Sequence, residues 1–167
     1  LGLVDDDIKF VHPKDMQDNK IAVTANDILA NVPFVKGCGL WFDHHSSENE
    51  RLQLEREFKG VSKAAPSAAQ VVYDYYKKNK AYADKLRKFK KLIQIVGKAD
   101  SAKFTKEDIL HPNGWIMLAF IADPRTGLGY KHDFTISNFD LMKQLPQLLR
   151  TKTVEEILSL SDFQERV

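Results

Sequence analysis

The chain has little of the features that would place it in a specialised class of proteins. It contains one cysteine, Cys38, among 167 residues, which excludes an internal disulfide and a cysteine-rich zinc site. Its longest uninterrupted apolar run, 115–122, is too short to span a bilayer. We therefore expect a cytoplasmic protein that has no membrane partner.

Charge of one sign is not in excess either. Lysine and arginine number 25 and aspartate and glutamate number 23, which leaves a net charge of +2. A balance this close does not mark the whole chain as a binder of polyanions. The apolar fraction of 43% is ordinary for a globular protein, and 167 residues are enough to bury a core. We predict one domain over 1–167.

Three short segments in the first part of the chain have the pattern of β-strands. They alternate in polarity or carry β-branched and aromatic side chains, and they lie at 8–12, 20–24 and 39–42. Together with the helical patterns that follow, they predict a set of buried side chains. The expected core residues are Val23, Leu40, Phe42, Ile93, Val96, Trp115, Leu118 and Ile121.

The rest of the chain has the spacing of helices. Apolar residues recur every three or four positions at 68–76, 82–97 and 138–149, and the continuous apolar segment 114–122 is expected to form a buried helix. Thr153 with Glu156, and Ser161 with Gln164, have the spacing of capping boxes. The basic run 85–91 could follow a nucleic-acid backbone, although a solvated helix face is the simpler interpretation. The order of elements predicts an α/β fold, with a small open parallel sheet flanked by helices and a helical second half.

Several polar side chains come directly after predicted core elements. Asp27 and the tripeptide Asp43-His44-His45 each follow a predicted strand, and Asp100 follows a predicted helix. Ligands of an open α/β sheet bind beyond the carboxyl ends of its strands, so these side chains could meet at one edge. Carboxylates and imidazoles there would hold one or two divalent cations that neutralise a phosphoryl group.

Each of these residues also has a plainer interpretation. The tripeptide 43–45 could be a solvated loop with two idle histidines. Asp27 could cap an Asx turn before Ile28, and Asp100 could be a loop residue or a helix N-cap. On this interpretation the side chains never meet, and the chain is an interaction domain.

Four separated segments resemble the DHH phosphoesterases, and they occur in the order of that superfamily's motifs. Residues 39–48 (GLWFDHHSSE) resemble its signature. Residues 24–33 (TANDILANVP) are similar to its second acidic motif, and 99–101 (ADS) to its fourth. Residues 123–129 (DPRTGLG) are similar to a segment typical of the exopolyphosphatase-like branch. The resemblance covers most of the chain.

The resemblance implies a manganese site. Asp27 matches the carboxylate that bridges two metals, and His44 and Asp100 match ligands of one of them. Histidine ligation favours a transition metal, so manganese is expected ahead of magnesium, with cobalt as a further candidate.

The resemblance also implies roles in catalysis and substrate binding. Asp43, His44 and His45 match the catalytic group, in which Asp43 orients a histidine and His45 meets the phosphate. Arg125 would grip the phosphate with its guanidinium. The expected partner is a phosphorylated small molecule or a short nucleic acid.

The sequence departs from the family pattern in two respects. The family's first motif, a strand followed by an Asp-x-Asp pair, has no counterpart upstream of 8–12, and the smaller C-terminal substrate-binding domain has no counterpart either. We therefore expect an N-terminally incomplete domain, that is, a fragment. An uncovered sheet edge would then favour a homodimer.

The implied function is that of a metal-dependent phosphoesterase. Such a hydrolase would cleave phosphoester or phosphoanhydride bonds of nucleotides, oligonucleotides or polyphosphate, and this piece alone would be impaired. The alternative is a non-catalytic module with the DHH fold that binds a nucleotide or a metal. The absence of the first motif favours that alternative if the chain is a natural product as it stands.

Overall fold

The first of two units in this computed structural model carries the sheet. The structure describes residues 8–47, 57–123 and 133–167. The chain divides into two compact units, Leu1–Ala102 and Lys103–Val167, and each has its own apolar cluster. The organisation of 1–167 as one domain stays a prediction.

The sheet of the first unit has three short parallel strands. These are β1 (Ile28–Ala30), β2 (Leu40–Asp43) and β3 (Gly60–Ser62), in the order β1-β2-β3. Ile28 pairs with Leu40, and Trp41 pairs with Gly60. All three carboxyl ends therefore lie at one edge of the sheet, and the prediction of a small parallel sheet is confirmed.

Two of the predicted strands are not formed. Residues 8–12 and 20–24 have no strand pairing, and the short helix α1 (Pro13–Gln17) lies between them. Val11, Ile21 and Val23 pack onto the cluster of Met16 and Trp41 instead, whereas Ile8 and Phe10 are exposed. The alternating pattern of 20–24 thus comes from contact with the core and not from a strand ladder. The prediction did not include β3, which has only three residues and begins with a glycine.

The core of the first unit is built on β2. Trp41 and Phe42 are both completely buried. The indole Nε1 of Trp41 donates to the carbonyl oxygen of Val32 at 2.9 Å, and the ring of Phe42 meets that of Tyr75 edge-on at 5.0 Å between centroids. Burial of two large aromatic side chains fixes the direction of β2, and with it the direction in which the chain leaves the sheet.

Three longer helices follow the sheet in the described part of the first unit. They are α2 (Ala68–Lys77), α3 (Lys80–Arg87) and α4 (Lys90–Asp100). A single helix was predicted over 82–97, and the structure has a break at residues 88–89 instead. Neither residue is a glycine or a proline, and the N-cap Phe89 makes no side-chain capping bond, so the break has no signal in the sequence.

The described regular structure of the second unit is helical, as predicted. It consists of α5 (Lys106–Leu110), α6 (Gly114–Ala122), α7 (Asn138–Thr151), α8 (Val154–Leu158) and α9 (Ser161–Gln164). Its buried cluster comprises Leu118, Ile121, Leu141, Val154, Ile157 and Phe163. No helix in the described ranges combines the length and the hydropathy that a membrane crossing requires.

The two capping predictions have different outcomes. Thr153 and Glu156 form the predicted capping box at the start of α8. The second prediction was wrong, because Ser161 is the first residue of α9 and Leu160 is its N-cap. Of the eight predicted core side chains, Phe42, Leu118 and Ile121 are fully buried, and the other five are half-buried.

Gly60 offers a test of the sheet. Its φ is +120°, and a Cβ there would overlap the carbonyl oxygen of Trp41 on the neighbouring strand. We expect Gly60→Ala to lower the free energy of unfolding by more than about 3 kcal/mol, as measured by urea denaturation.

The matched control is Gly37→Ala. Gly37 also has a positive φ, of +92°, but a Cβ there would have open space around it. We therefore expect Gly37→Ala to lower the free energy of unfolding by about 1–2 kcal/mol, through backbone strain alone. Equal destabilisation by the two variants would contradict the close approach of β3 to β2.

Candidate metal site at the carboxyl edge of the sheet

The last residue of β2 is a buried carboxylate. Asp43 is completely buried, and its Oδ2 accepts a hydrogen bond from the backbone N–H of His45 at 3.0 Å. Its Oδ1 lies 3.1 Å from His45 Nδ1. A carboxylate accepts, so Nδ1 carries the proton of this bond and Nε2 remains as the other ring nitrogen. Asp43 therefore fixes the orientation of His45, whose side chain is about half exposed.

The adjacent side chain, His44, has a different partner. Its Nδ1 lies 3.1 Å from the carbonyl oxygen of Ala65, which precedes α2. A carbonyl oxygen can only accept, so Nδ1 carries the hydrogen of this bond. The other nitrogen, Nε2, therefore carries a lone pair in the neutral ring and is available to a group on the far side of the ring.

That far side holds Asp100. Its Oδ2 is 3.2 Å from His44 Nε2, and the His44 side chain is 13% exposed. The contact lacks the alignment of a hydrogen bond, so Nε2 is a buried polar atom with no hydrogen-bond partner. A buried nitrogen in this state costs free energy unless a ligand uses it, and the adjacent carboxylate makes a cation the suitable ligand.

Gly97 brings Asp100 to this position. It lies about one helical turn before Asp100 in α4, and a Cβ on it would lie 2.9 Å from Pro66 Cβ. The missing side chain therefore lets α4 approach the 65–67 loop closely. Ala65, in that same loop, holds His44. A glycine inside an apolar helical stripe was the signal in the sequence that could have identified this contact.

Asp27 is placed differently from the expectation. Its backbone carbonyl accepts from Gly39 N at 2.9 Å and from Leu40 N at 3.3 Å, which puts it just before β1 and beside the start of β2. Asp43 is three residues further along β2, about 10 Å at the rise of a strand. Asp27 thus precedes a strand instead of following one, because the predicted strand over 20–24 is not formed.

The carboxylate of Asp27 is occupied locally. Its Oδ2 accepts from the backbone N–H of Thr24 at 2.6 Å and from the Thr24 hydroxyl at 2.8 Å. The hydrogen bond from that N–H is the main reason that the pKa of Asp27 is lowered from its ordinary value. This is the turn-capping role that the plainer interpretation gave to Asp27.

The described residues therefore bring together two of the three expected ligands. Within 8–47, 57–123 and 133–167, no group of three or more histidine, cysteine, aspartate or glutamate side chains is close enough to hold a metal ion. His44 and Asp100 meet, and Asp27 does not join them. The role of Asp27 as a ligand stays a prediction, and Arg125 lies outside the described residues.

A solved structure is similar to this chain in both fold and sequence. It is the pGpG-specific phosphodiesterase PggH from Vibrio cholerae, with 38% sequence identity and a TM-score of 0.73 over 96% of this chain. The chain spans 50% of the length of that structure. No protein-family profile matches the chain, and no curated protein sequence does. The similarity confirms the α/β fold and supports the resemblance to phosphoesterases.

The substitution Asp27→Asn separates the two interpretations of Asp27. If the carboxylate only caps the turn, Asp27→Asn leaves the affinity for Mn²⁺ within about twofold and lowers the free energy of unfolding at neutral pH. The lowered pKa means that the stabilisation is present above the unfolded-state pKa and is lost as the pH falls through the folded-state value.

Calorimetric titration with Mn²⁺ and urea denaturation at pH 7 and pH 3 measure the two effects. The stability difference between wild type and variant should shrink at the lower pH. A loss of Mn²⁺ affinity of tenfold or more would instead make Asp27 a metal ligand.

Proposed function

We propose that this chain carries the catalytic site of a metal-dependent phosphodiesterase that acts on short nucleotides, with pGpG as the representative substrate. The observation that carries the proposal is the buried, unpartnered Nε2 of His44 beside the Asp100 carboxylate at the carboxyl edge of the sheet. The similarity to a pGpG-specific phosphodiesterase supports the substrate class.

His44 and Asp100 are the residues that would hold the metal. An imidazole nitrogen paired with a carboxylate oxygen suits manganese, and magnesium or cobalt are the other candidates. The donor set and the unpartnered Nε2 both fit a divalent cation. A bound cation would supply positive charge that neutralises the phosphoryl oxygens during hydrolysis.

His45 is the residue that would meet the phosphate. Asp43 fixes its Nδ1, and 51% of its side chain is exposed, so Nε2 can accept a hydrogen bond in the neutral ring and, in the imidazolium form, can donate one to a phosphate oxygen. The rings of His44 and His45 lie 4.2 Å apart between centroids. The phosphate contact and the metal ligand are therefore adjacent, as a reaction at one phosphorus atom requires. Arg125 is the further residue that we assign to the phosphate.

A non-catalytic binding module is the second candidate. The observation that favours it is the small number of metal ligands. The described residues bring together only His44 and Asp100, whereas hydrolysis by two metals needs more ligands than these two. Two protein donors hold a cation weakly, so we expect weak binding of manganese by this chain. A cytoplasmic location and a homodimer complete the proposal.

Substitution of the two histidines separates metal binding from phosphate binding. We expect His44→Ala and Asp100→Asn to weaken Mn²⁺ binding by at least about tenfold, because each removes one of two donors. His45→Ala should retain the Mn²⁺ affinity and raise KM for pGpG, since its ring contacts the substrate. Calorimetry with Mn²⁺ and a pGpG hydrolysis assay measure the two effects.

The matched control is His111→Ala, at an exposed histidine of the second unit that lies at the end of α5. It should change neither quantity. Mn²⁺ binding that His44→Ala leaves intact would overturn the assignment of the metal ligand. Binding of Mn²⁺ and pGpG without hydrolysis would instead identify the chain as a non-catalytic binding module.

A further inference from the structure

A short segment of the first unit carries a high density of positive charge. Residues 77–91, here called the basic segment, contain eight lysine or arginine side chains and one acidic side chain, Asp84. Its net charge is thus +7, in a chain whose net charge is +2, so the other residues together carry −5. The cations are Lys77, Lys78, Lys80, Lys85, Arg87, Lys88, Lys90 and Lys91.

All eight cationic side chains are exposed. Leu86 is buried and Tyr82 and Phe89 are half-buried, so the apolar positions of α3 and of the turn after it face the core. Arg87 pairs with Asp84 at 2.8 Å, but both side chains are about four-fifths exposed, and such a pair is weak. Among the described residues, none of the seven lysines forms a salt bridge. The segment therefore presents uncompensated positive charge to solvent.

The basic segment is connected to the candidate metal site by one rigid element. Helix α4 begins at Lys90 and ends at Asp100, which lies beside His44. From Lys91 to Asp100 the helix rises about 14 Å. A stacked strand advances about 3.4 Å per nucleotide, so this distance corresponds to about four nucleotides. One nucleic-acid strand can thus have a phosphate at each end of α4.

We propose that the basic segment binds the phosphate backbone of a single-stranded oligonucleotide, one end of which lies at His44 and Asp100. The placement of that end rests on the proposed function, whereas the binding itself does not. The site would then accept strands longer than a dinucleotide, and the additional nucleotides would raise affinity through the lysines.

The chemistry of the segment favours a nucleic acid over a membrane surface. A helix that lies in a membrane interface needs large apolar side chains exposed beside its lysines. None of the large apolar side chains exposed in the described structure lies within 77–91. The rings of Tyr82 and Phe89 are half-buried and face the core, so the contacts that this segment offers are those of its lysines to phosphates.

The predominance of lysine over arginine bears on specificity. Lysine is a point charge on a flexible stem and lacks the planar fork with which arginine reads guanine. Seven of the eight cations are lysines, so the contacts are to phosphates and carry little sequence information. We expect similar affinities for strands of different base composition.

The test is charge reversal on the full chain, read by fluorescence anisotropy with a labelled RNA of about twelve nucleotides, within the range of known site sizes. Lys85→Glu, Lys88→Glu and Lys91→Glu are combined in one variant. We expect an affinity at least about tenfold lower, and a slope of log K against log salt that is smaller by about 2, the value for three lost contacts to a single strand.

The matched control reverses three exposed lysines of the second unit. Lys103→Glu, Lys106→Glu and Lys152→Glu produce the same change in net charge and should leave the RNA affinity within about twofold. Equal weakening by the two triple variants would overturn the proposal, because only total charge would then matter. If the first variant fails to fold by circular dichroism, Lys85→Gln, Lys88→Gln and Lys91→Gln replace it, with a smaller loss expected.

Further binding measurements identify the ligand and distinguish this proposal from the proposed function. A dinucleotide should bind more weakly than the longer RNA, and the basic-segment variant should not change its affinity. A polyphosphate chain of equal charge that binds as tightly as RNA, or anionic vesicles bound in preference to it, would contradict the assignment to nucleic acid. His44→Ala should leave RNA binding within about threefold, since the backbone contacts lie along the helix. If RNA binds but is not hydrolysed, the proposed enzymatic function is refuted, whereas the proposal that the basic segment binds RNA still holds.

Discussion

The imidazole of His44 has one hydrogen bond, to the Ala65 carbonyl, and the candidate site depends on it. The bond fixes the proton on Nδ1, so the buried Nε2 faces Asp100 without a hydrogen-bond partner. Ala65 immediately precedes Pro66, against which Gly97 of α4 is placed. One loop thus determines both the orientation of the histidine and the position of the carboxylate.

The two histidines of the tripeptide are separated in role by their partners. Asp43 is completely buried at the end of β2 and holds His45 through both its backbone N–H and its ring. His44 turns to the loop before α2 instead. A buried carboxylate that accepts two hydrogen bonds is well satisfied, so it supports the neighbouring histidine at little cost. Adjacent residues in the sequence therefore serve different ligands.

The fold class could be predicted from the sequence because it depends on patterns that span many residues. The apolar runs of β2 and α6 and the apolar stripe of α7 are read directly from the sequence. The break between α3 and α4 could not be, because residues 88–89 carry no helix-ending signal. The strand over 20–24 was predicted wrongly because contact with the core produces the same alternation as pairing in a sheet.

The candidate site, like the fold, could be predicted only in part from the sequence. The tripeptide 43–45 and Asp100 were identified from their positions after core elements, and the contact of His44 with Asp100 joins them. Asp27 was placed at the wrong end of a strand because its position depended on the strand over 20–24. Ala65 acts through a backbone carbonyl, which nothing in a sequence distinguishes, whereas Gly97 acts through a missing Cβ, which a glycine inside an apolar helical stripe could have indicated.

The central claim is that the His44–Asp100 pair holds a divalent cation. The most direct measurement is an NMR titration with substoichiometric Mn²⁺, in which paramagnetic broadening reports the distance of each nucleus from the ion. The ring protons of His44 and the amide of Asp100 should broaden first, ahead of the amides of 24–27. Broadening that is strongest at 24–27, or uniform over the chain, would contradict the claim.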